Sequence, residues 1–191
     1  CLGQGADYII PVGRLEEAYE LKRKHPGHLL VGERKSMPPK GFDFGNAPAF
    51  ASSLDLKGKK IIVTTSAGTQ GIVNARKASE ILIGSFANAG ALIRYIQQRK
   101  PKYITLAAMG FESSKKAEED EQCAHYLKNK LQGKNPDFES IKSAILLSKG
   151  GERLKKLGQT EDLEFALRLD IYQLVPYYDI YSGKIHIKQK G

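Results

Sequence analysis

The sequence predicts an α/β protein, a single three-layer α/β/α domain spanning residues 1–191 with a mainly parallel sheet. Two observations carry this. Short apolar runs rich in β-branched residues alternate with helix-period segments almost from end to end, as strands joined by helical crossovers do. Several of these runs are apolar at both odd and even positions, which is the requirement for strands covered on both faces. A chain of 191 residues, 41% hydrophobic and 27% charged, is long enough to bury a sizeable core and too apolar to be disordered.

In chain order, Tyr8–Val12 reads as the first strand and Leu15–Lys24 as the first helix. His28–Gly32, Lys60–Thr65, Ile81–Ser85 and Tyr103–Ala107 read as further strands. Tyr172–Val175 begins a last pair, a hairpin ending at Ile185–Ile187. The helical segments between them are Gln70–Lys77, Phe86–Gln98, Ala117–Leu131, Asp137–Leu147 and Glu161–Leu169. In Phe86–Gln98 the apolar residues Phe86, Ala89, Leu92, Ile93 and Ile96 recur at three and four positions, one helix face. Lys149–Gly158 reads either as a linker or as a glycine turn with a short helix. Glu33–Pro48 has no periodicity, and structureless stretches of that length inside a domain are usually functional.

Composition excludes several classes. No apolar run approaches the ~20 residues that span a bilayer, so the expectation is no membrane. The net charge of +9 is spread evenly, each third of the chain carrying +3. Nucleic-acid footprints are concentrated stripes or tails, so no nucleic-acid partner is expected, although a positive field draws in small anions. Two cysteines, Cys1 and Cys123, are too few for a disulfide framework and suit a cytoplasmic protein. The chain opens on Cys1 and passes directly into the apolar run at Tyr8 without a polar tether. The expectation is an N-terminally truncated chain rather than a lipid-bearing one.

In open α/β sheets ligands sit beyond the carboxyl ends of strands, and three such junctions carry chemistry-bearing residues. At Leu29–Arg34 the adjacent Glu33 and Arg34 can orient each other and present a guanidinium fork to an oxyanion. Gly41 and Gly45 flank a turn that would leave Asp43 and Asn46 pointing into a cleft. The alternative is a surface turn with an incidental ion pair. At Ile61–Gly71 a buried strand breaks into Ser66, Gly68 and Thr69, which either cradle a phosphate or cap the following helix. At Glu118–Glu121 four acids open a helix; they suit its dipole, or supply Glu119 and Asp120 to Mg²⁺. Cys123 reads as buried filler, and His25, His28, His125 and His186 show no ligand spacing.

Taken in order, GADYIIPV, LLVGER, GFDFGNAP, TTSAGTQG, ILIGSFANA, AAMG…EED and LEFALRLDIYQLVP resemble the 2-phosphosulfolactate phosphatase family from Gly5 to about Pro176. The resemblance implies an α/β fold and an Mg²⁺-dependent phosphatase that hydrolyses (R)-2-phospho-3-sulfolactate to 3-sulfolactate, a step toward coenzyme M, or a related phosphorylated hydroxy acid. With that function Glu33, Arg34 and Asp43 are the expected catalytic residues, Arg34 as a donor to the anionic substrate and one of Glu33 or Asp43 either orienting the attacking water or ligating the ion. Substrate contacts would come from Asn46, Ser66, Gly68, Thr69 and Asn88, and metal ligation from Glu119 and Asp120. The family's first-strand motif, similar to Asp-Val-Leu-Arg-Ala-Ser/Thr, would fall just before Cys1, and Ser66-Ala67 stands where many members resemble Thr-Asn. The second reading is a non-catalytic protein that binds small anions in the same pocket. Exposed sheet edges leave room for a homo-oligomer.

Overall fold

The apolar runs pair into one six-stranded sheet. Its members are β1 (Tyr8–Pro11), β2 (Leu29–Gly32), β3 (Lys60–Thr64), β4 (Ile81–Leu82), β5 (Pro176–Asp179) and β6 (Lys184–Ile187). They lie in the spatial order β2-β3-β1-β6-β5-β4. The computed structural model describes residues 1–110 and 115–188. It divides into two units: the sheet unit, residues 1–83 with those from Pro176 onward, and a helical unit, Gly84–Val175.

Strands β2, β3 and β1 are parallel, with Leu29, Leu30 and Val31 beside Ile61, Ile62 and Val63. Because side chains alternate across a strand, Ile9, Ile61 and Val31 fall on one face with Leu2, Ala6 and Leu56. Ile10, Ile62 and Leu30 fall on the other with Val12, Ala18 and Tyr19. Both faces of this parallel trio are thus covered, as the unbroken apolar runs required. Helix α1 (Leu15–Lys24) packs against β2 and β3, with Glu16 and Glu17 in its first turn and Lys22, Arg23 and Lys24 in its last. That charge order complements the helix dipole.

The expectation of a mainly parallel sheet is corrected here to a mixed one. The pairings β1–β6, β6–β5 and β5–β4 are all antiparallel. A short hairpin joins β5 to β6, and two strands joined by a tight turn must run in opposite directions. The turn is set by Asp179, whose carboxylate accepts the N–H groups of Tyr181 and Ser182.

Two strand expectations also fail. Tyr103–Ala107 has no ladder partner among the described residues; Tyr103 is 81% exposed and Ile104 46%. β-Propensity expresses itself only where a neighbour supplies hydrogen bonds and packing, and none does so here. Tyr172–Val175 is irregular, and the ladder begins at Pro176 instead. The expected loop Met109–Ser114 lies partly outside the described residues, at 111–114.

In the sheet unit the remaining helices are α2 (Pro48–Ser52) and α3 (Gly68–Asn74). The helical unit runs α4 (Ala89–Arg99), α5 (Glu118–Leu131), α6 (Phe138–Leu146), α7 (Lys149–Lys156) and α8 (Thr160–Ala166), each from α4 onward packing on the next. The run Lys149–Gly158 therefore takes the short-helix alternative, with Ser148 accepting Gly151 N–H at its start. The core of this unit holds Phe86, Tyr126 and Phe138, whose rings meet edge-to-face at centroid distances of 5.2–5.8 Å. Such pairs contribute roughly 0.5–1.5 kcal/mol each beyond burial. Asp170 returns over the start of α4: its N–H donates to Phe86 O (3.0 Å) and its carboxylate accepts Gly90 N–H.

Candidate functional site

The carboxyl ends of the three parallel strands converge on one cluster. Strand β2 ends at Gly32, where φ is +142°, and a Cβ there would lie 1.9 Å from Thr64 O of β3. Only glycine permits this approach, and it brings Glu33 beside β3, its N–H donating to Thr64 O at 3.2 Å. Next comes a two-residue turn, Lys35-Ser36, closed by Arg34 N–H to Met37 O (2.9 Å) and Met37 N–H to Arg34 O (3.1 Å). Both turn residues have positive φ, 52° and 65°. A left-handed non-glycine residue costs about 1–2 kcal/mol, so the surrounding contacts must hold this turn in place.

Glu33 supplies those contacts. Its Oε2 accepts Ser36 N–H (3.1 Å) and Ser66 Oγ–H (3.1 Å), and its Oε1 accepts Ser66 N–H (2.7 Å). An ionised carboxylate offers about four lone-pair sites, so one remains on Oε1 for a further donor. Arg34 is fixed just as firmly. Nη1 donates to Glu33 O (2.7 Å), while Nη2 donates to the fully buried Thr64 Oγ1 (2.7 Å) and to Gly13 O (3.3 Å) beyond β1. The guanidinium thereby ties the ends of all three parallel strands together. Both Nη2 donors are taken by the protein, which leaves Nε–H and the second Nη1–H as the uncommitted donors. The expected fork on an oxyanion is therefore not what Arg34 presents.

Gln70 also donates to Gly13 O, and its amide covers Gly13, where a Cβ would lie 3.0 Å from it. Thr69 is buried and bonds reciprocally with Thr65: Thr65 N–H donates to Thr69 Oγ1 (3.0 Å) and Thr69 N–H to Thr65 Oγ1 (3.2 Å). These bonds fix the turn that leads into α3 at Gly68, where Ala67 stands at the N-cap without a side-chain cap.

Of the residues singled out in the sequence, Glu33, Arg34, Ser66, Gly68 and Thr69 share these strand ends. Asp43 lies further back along β2, where its Oδ2 accepts Leu30 N–H (2.7 Å) and faces Lys22 Nζ (3.3 Å). With Asp43 N–H donating to Leu30 O and Gly32 N–H to Phe44 O, this segment closes the open edge of β2. Asn46 is exposed. Gly13, Thr64 and Gln70 complete the cluster without having been expected from the sequence. Their places, Gly13 just past β1, Thr64 at the end of β3 and Gln70 in the first turn of α3, are their only sequence signal, because a single glycine, threonine or glutamine carries no motif.

In the helical unit, Asn88 is buried and makes a reciprocal cap. Its Oδ1 accepts Ser85 N–H and Ser85 Oγ–H, both at 2.9 Å, and its Nδ2 donates to Leu174 O at 3.3 Å. Its amide serves local structure. Asp120 Oδ2 accepts Gly110 N–H (2.7 Å), and Glu119 lies against Gly150 across a groove also lined by His125, Lys149 and Arg153. Among the described residues no three His, Cys, Asp or Glu side chains converge. Mg²⁺, however, takes hard oxygen donors and commonly only one or two carboxylates, the rest being water and substrate oxygens. Glu119 and Asp120 fit that donor chemistry. Burial, with the Asp120 charge beside it, pushes the Cys123 thiol up to about 12; it stays protonated and is no nucleophile.

A half-buried carboxylate and guanidinium clasp at the carboxyl ends of parallel strands defines an α/β protein of the kind whose ligands bind at those ends. A family model described as 2-phosphosulpholactate phosphatase matches residues 1–180. The chain is 36% identical over 184 residues to a probable 2-phosphosulfolactate phosphatase of Thermoplasma volcanium, covering 96% of this chain and 83% of the relative. Similarly named proteins of Caldanaerobacter subterraneus subsp. tengcongensis (34% over 194 residues; 92% and 79%) and Carboxydothermus hydrogenoformans (31% over 205; 98% and 83%) also match. The chain belongs to the 2-phosphosulpholactate phosphatase family, a family of phosphoric monoester hydrolases. No helix among the described residues is long and apolar enough to cross a membrane.

Proposed function

We propose that this chain hydrolyses (R)-2-phospho-3-sulfolactate, or a close phosphorylated hydroxy acid, to the free acid and phosphate, with Mg²⁺ as cofactor. The observation that carries the reading is the Glu33–Arg34 clasp at the strand ends, in a chain belonging to this family. The substrate carries several anionic groups, so its binding needs fixed donors. Arg34 supplies Nε–H and the second Nη1–H, and the Ser66–Thr69 turn supplies backbone N–H at Gly68. Because Arg34 is already anchored on Thr64 and Gly13, it need not reorganise as charge develops on the phosphoryl oxygens. Glu33 has one lone pair left on Oε1, with which it accepts a proton from the attacking water and aligns it. Asp43 positions Glu33 indirectly, by closing the edge of β2.

Glu119 and Asp120, in the helical unit, are the carboxylates proposed to hold Mg²⁺, a cation that would supply charge neutralisation when bound. A sulfonate product suits a place in coenzyme M synthesis. The test is phosphate release from 2-phospho-3-sulfolactate, with phospholactate and phosphoglycerate alongside, before and after chelation of Mg²⁺. Release from the sulfonate that stops on chelation and returns with Mg²⁺ is expected. Release unaffected by chelation removes the metal from the proposal. A folded protein that releases no phosphate from any of the three esters overturns the hydrolytic reading.

A further inference from the structure

At the opposite ends of the same parallel strands, basic and aromatic side chains line up across the sheet. Lys60 opens β3 directly beside Tyr8 of β1, and His28 immediately precedes β2. On the other side of Tyr8 lies His186 of β6, and beyond it Tyr177 of β5, with successive ring centroids 5.9 and 6.0 Å apart. Tyr8 is the centre of the group. Its hydroxyl shares a hydrogen bond with His28 Nε2 (3.1 Å), and two ammonium groups lie over its ring, Lys184 Nζ at 4.1 Å and Lys60 Nζ at 5.8 Å from the centroid.

Positive charge is in surplus here. Among the described residues neither Lys60 nor Lys184 has a carboxylate within ion-pair distance. Of the acids, Asp43 is held by Lys22 and Leu30 N–H and Glu80 pairs with Lys188, while Asp179 accepts the amides of its own turn and its charge also reaches His186. His28 responds to this surplus. Burial, and then the positive charges of His25, Lys60, Lys184 and Lys22, hold its imidazole below the ordinary range. Lysines fixed near one ring without a counter-charge repel each other, and a bound anion removes that cost.

We propose that Lys60, Lys184, His28 and His186 around Tyr8 form a second anion site, separate from the Glu33–Arg34 clasp, that takes a phosphate-type dianion. The two ammonium groups supply charge, and His186 together with the donor left over from the Tyr8–His28 pair supplies direction. The size of the group and the lysines already seated on the ring suit a compact oxyanion rather than a stacked base. The inference is independent of the hydrolytic reading, because it rests on residues that reading does not use.

The experiment is ¹H NMR of the His28 and His186 ring protons, assigned with His28→Gln and His186→Gln. Inorganic phosphate is added at constant ionic strength, with chloride as the balancing ion. Saturable shifts at both rings are expected, with the midpoint of the His28 titration raised by about one pH unit when phosphate is bound. In Lys60→Gln/Lys184→Gln, whose fold is checked by circular dichroism, the apparent affinity is expected to fall at least tenfold. Lys60→Arg/Lys184→Arg, which keeps both charges, retains it. Shifts that grow linearly with phosphate, that chloride reproduces, or that persist at the same midpoint in the glutamine variant overturn the proposal.

Discussion

Replacing Glu33 by glutamine separates the two jobs assigned to that side chain. The carboxylate receives three donors at 2.7, 3.1 and 3.1 Å: Ser66 N–H, Ser66 Oγ–H and Ser36 N–H. Hydrogen bonds to a charged acceptor contribute about 1.5–3 kcal/mol each. Glutamine keeps one neutral oxygen, and its amide NH₂ must face at least one backbone N–H. With half of each remaining bond's strength lost and the left-handed Lys35-Ser36 turn released, a net loss of about 2–3 kcal/mol is expected. For a chain of this size that is a fall in Tm of about 5–10 °C by calorimetry. Phosphate release under saturating substrate should fall by about 10²–10⁴, the range for loss of a general base. A wild-type Tm would refute the clasp. A lowered Tm with kcat within twofold of wild type would leave Glu33 a structural tie and remove it from the chemistry.

Further predictions address the same clasp and its surroundings. Arg34→Ala removes the donor to the buried Thr64 hydroxyl, while Gly13 O keeps the Gln70 amide, so it should cost about 1–3 kcal/mol by denaturant titration as well as roughly 10²–10³ in kcat. Arg34→Lys should restore neither, because an ammonium cannot meet three acceptors spread around a plane; full rescue by lysine would refute that account. In Gly32→Ala the added Cβ lies 1.9 Å from Thr64 O, so β2 and β3 cannot keep their spacing. Loss of soluble folded protein or a sharply lowered Tm is expected, and an unchanged Tm would contradict the described approach. Cys123, with its thiol raised to about 12, should resist thiol reagents at pH 8 in the folded protein and react on unfolding. Since the folded thiol keeps its proton while the unfolded one loses it above pH ~8.5, its contribution to stability should fall as pH rises past that value. Rapid labelling of the native protein would show the side chain to be open.

Local patterning sufficed wherever one segment's own residues dictate its state. Tyr8–Pro11, Leu29–Gly32 and Lys60–Thr64 are apolar on both faces, and they became the buried parallel trio. The three- and four-residue spacing after Phe86 became α4, and the acids from Glu118 opened α5. Glu33, Arg34 and Ser66 were legible as site candidates for a related reason: they lie where apolar strands stop. The antiparallel half of the sheet, the failure of Tyr103–Ala107 to pair and the edge-closing role of Asp43 were not legible. Each depends on which distant backbone supplies hydrogen bonds, and no local signal records that. Likewise Arg34 turned its Nη2 edge inward because Thr64 and Gly13, 30 and 21 residues away, present acceptors there. Asn88 became a cap because Ser85 and Leu174 meet its amide. The residue types of this protein are set by the one-dimensional order of burial and chain direction; the partners of its polar groups are set by strand register, which only the assembled sheet defines.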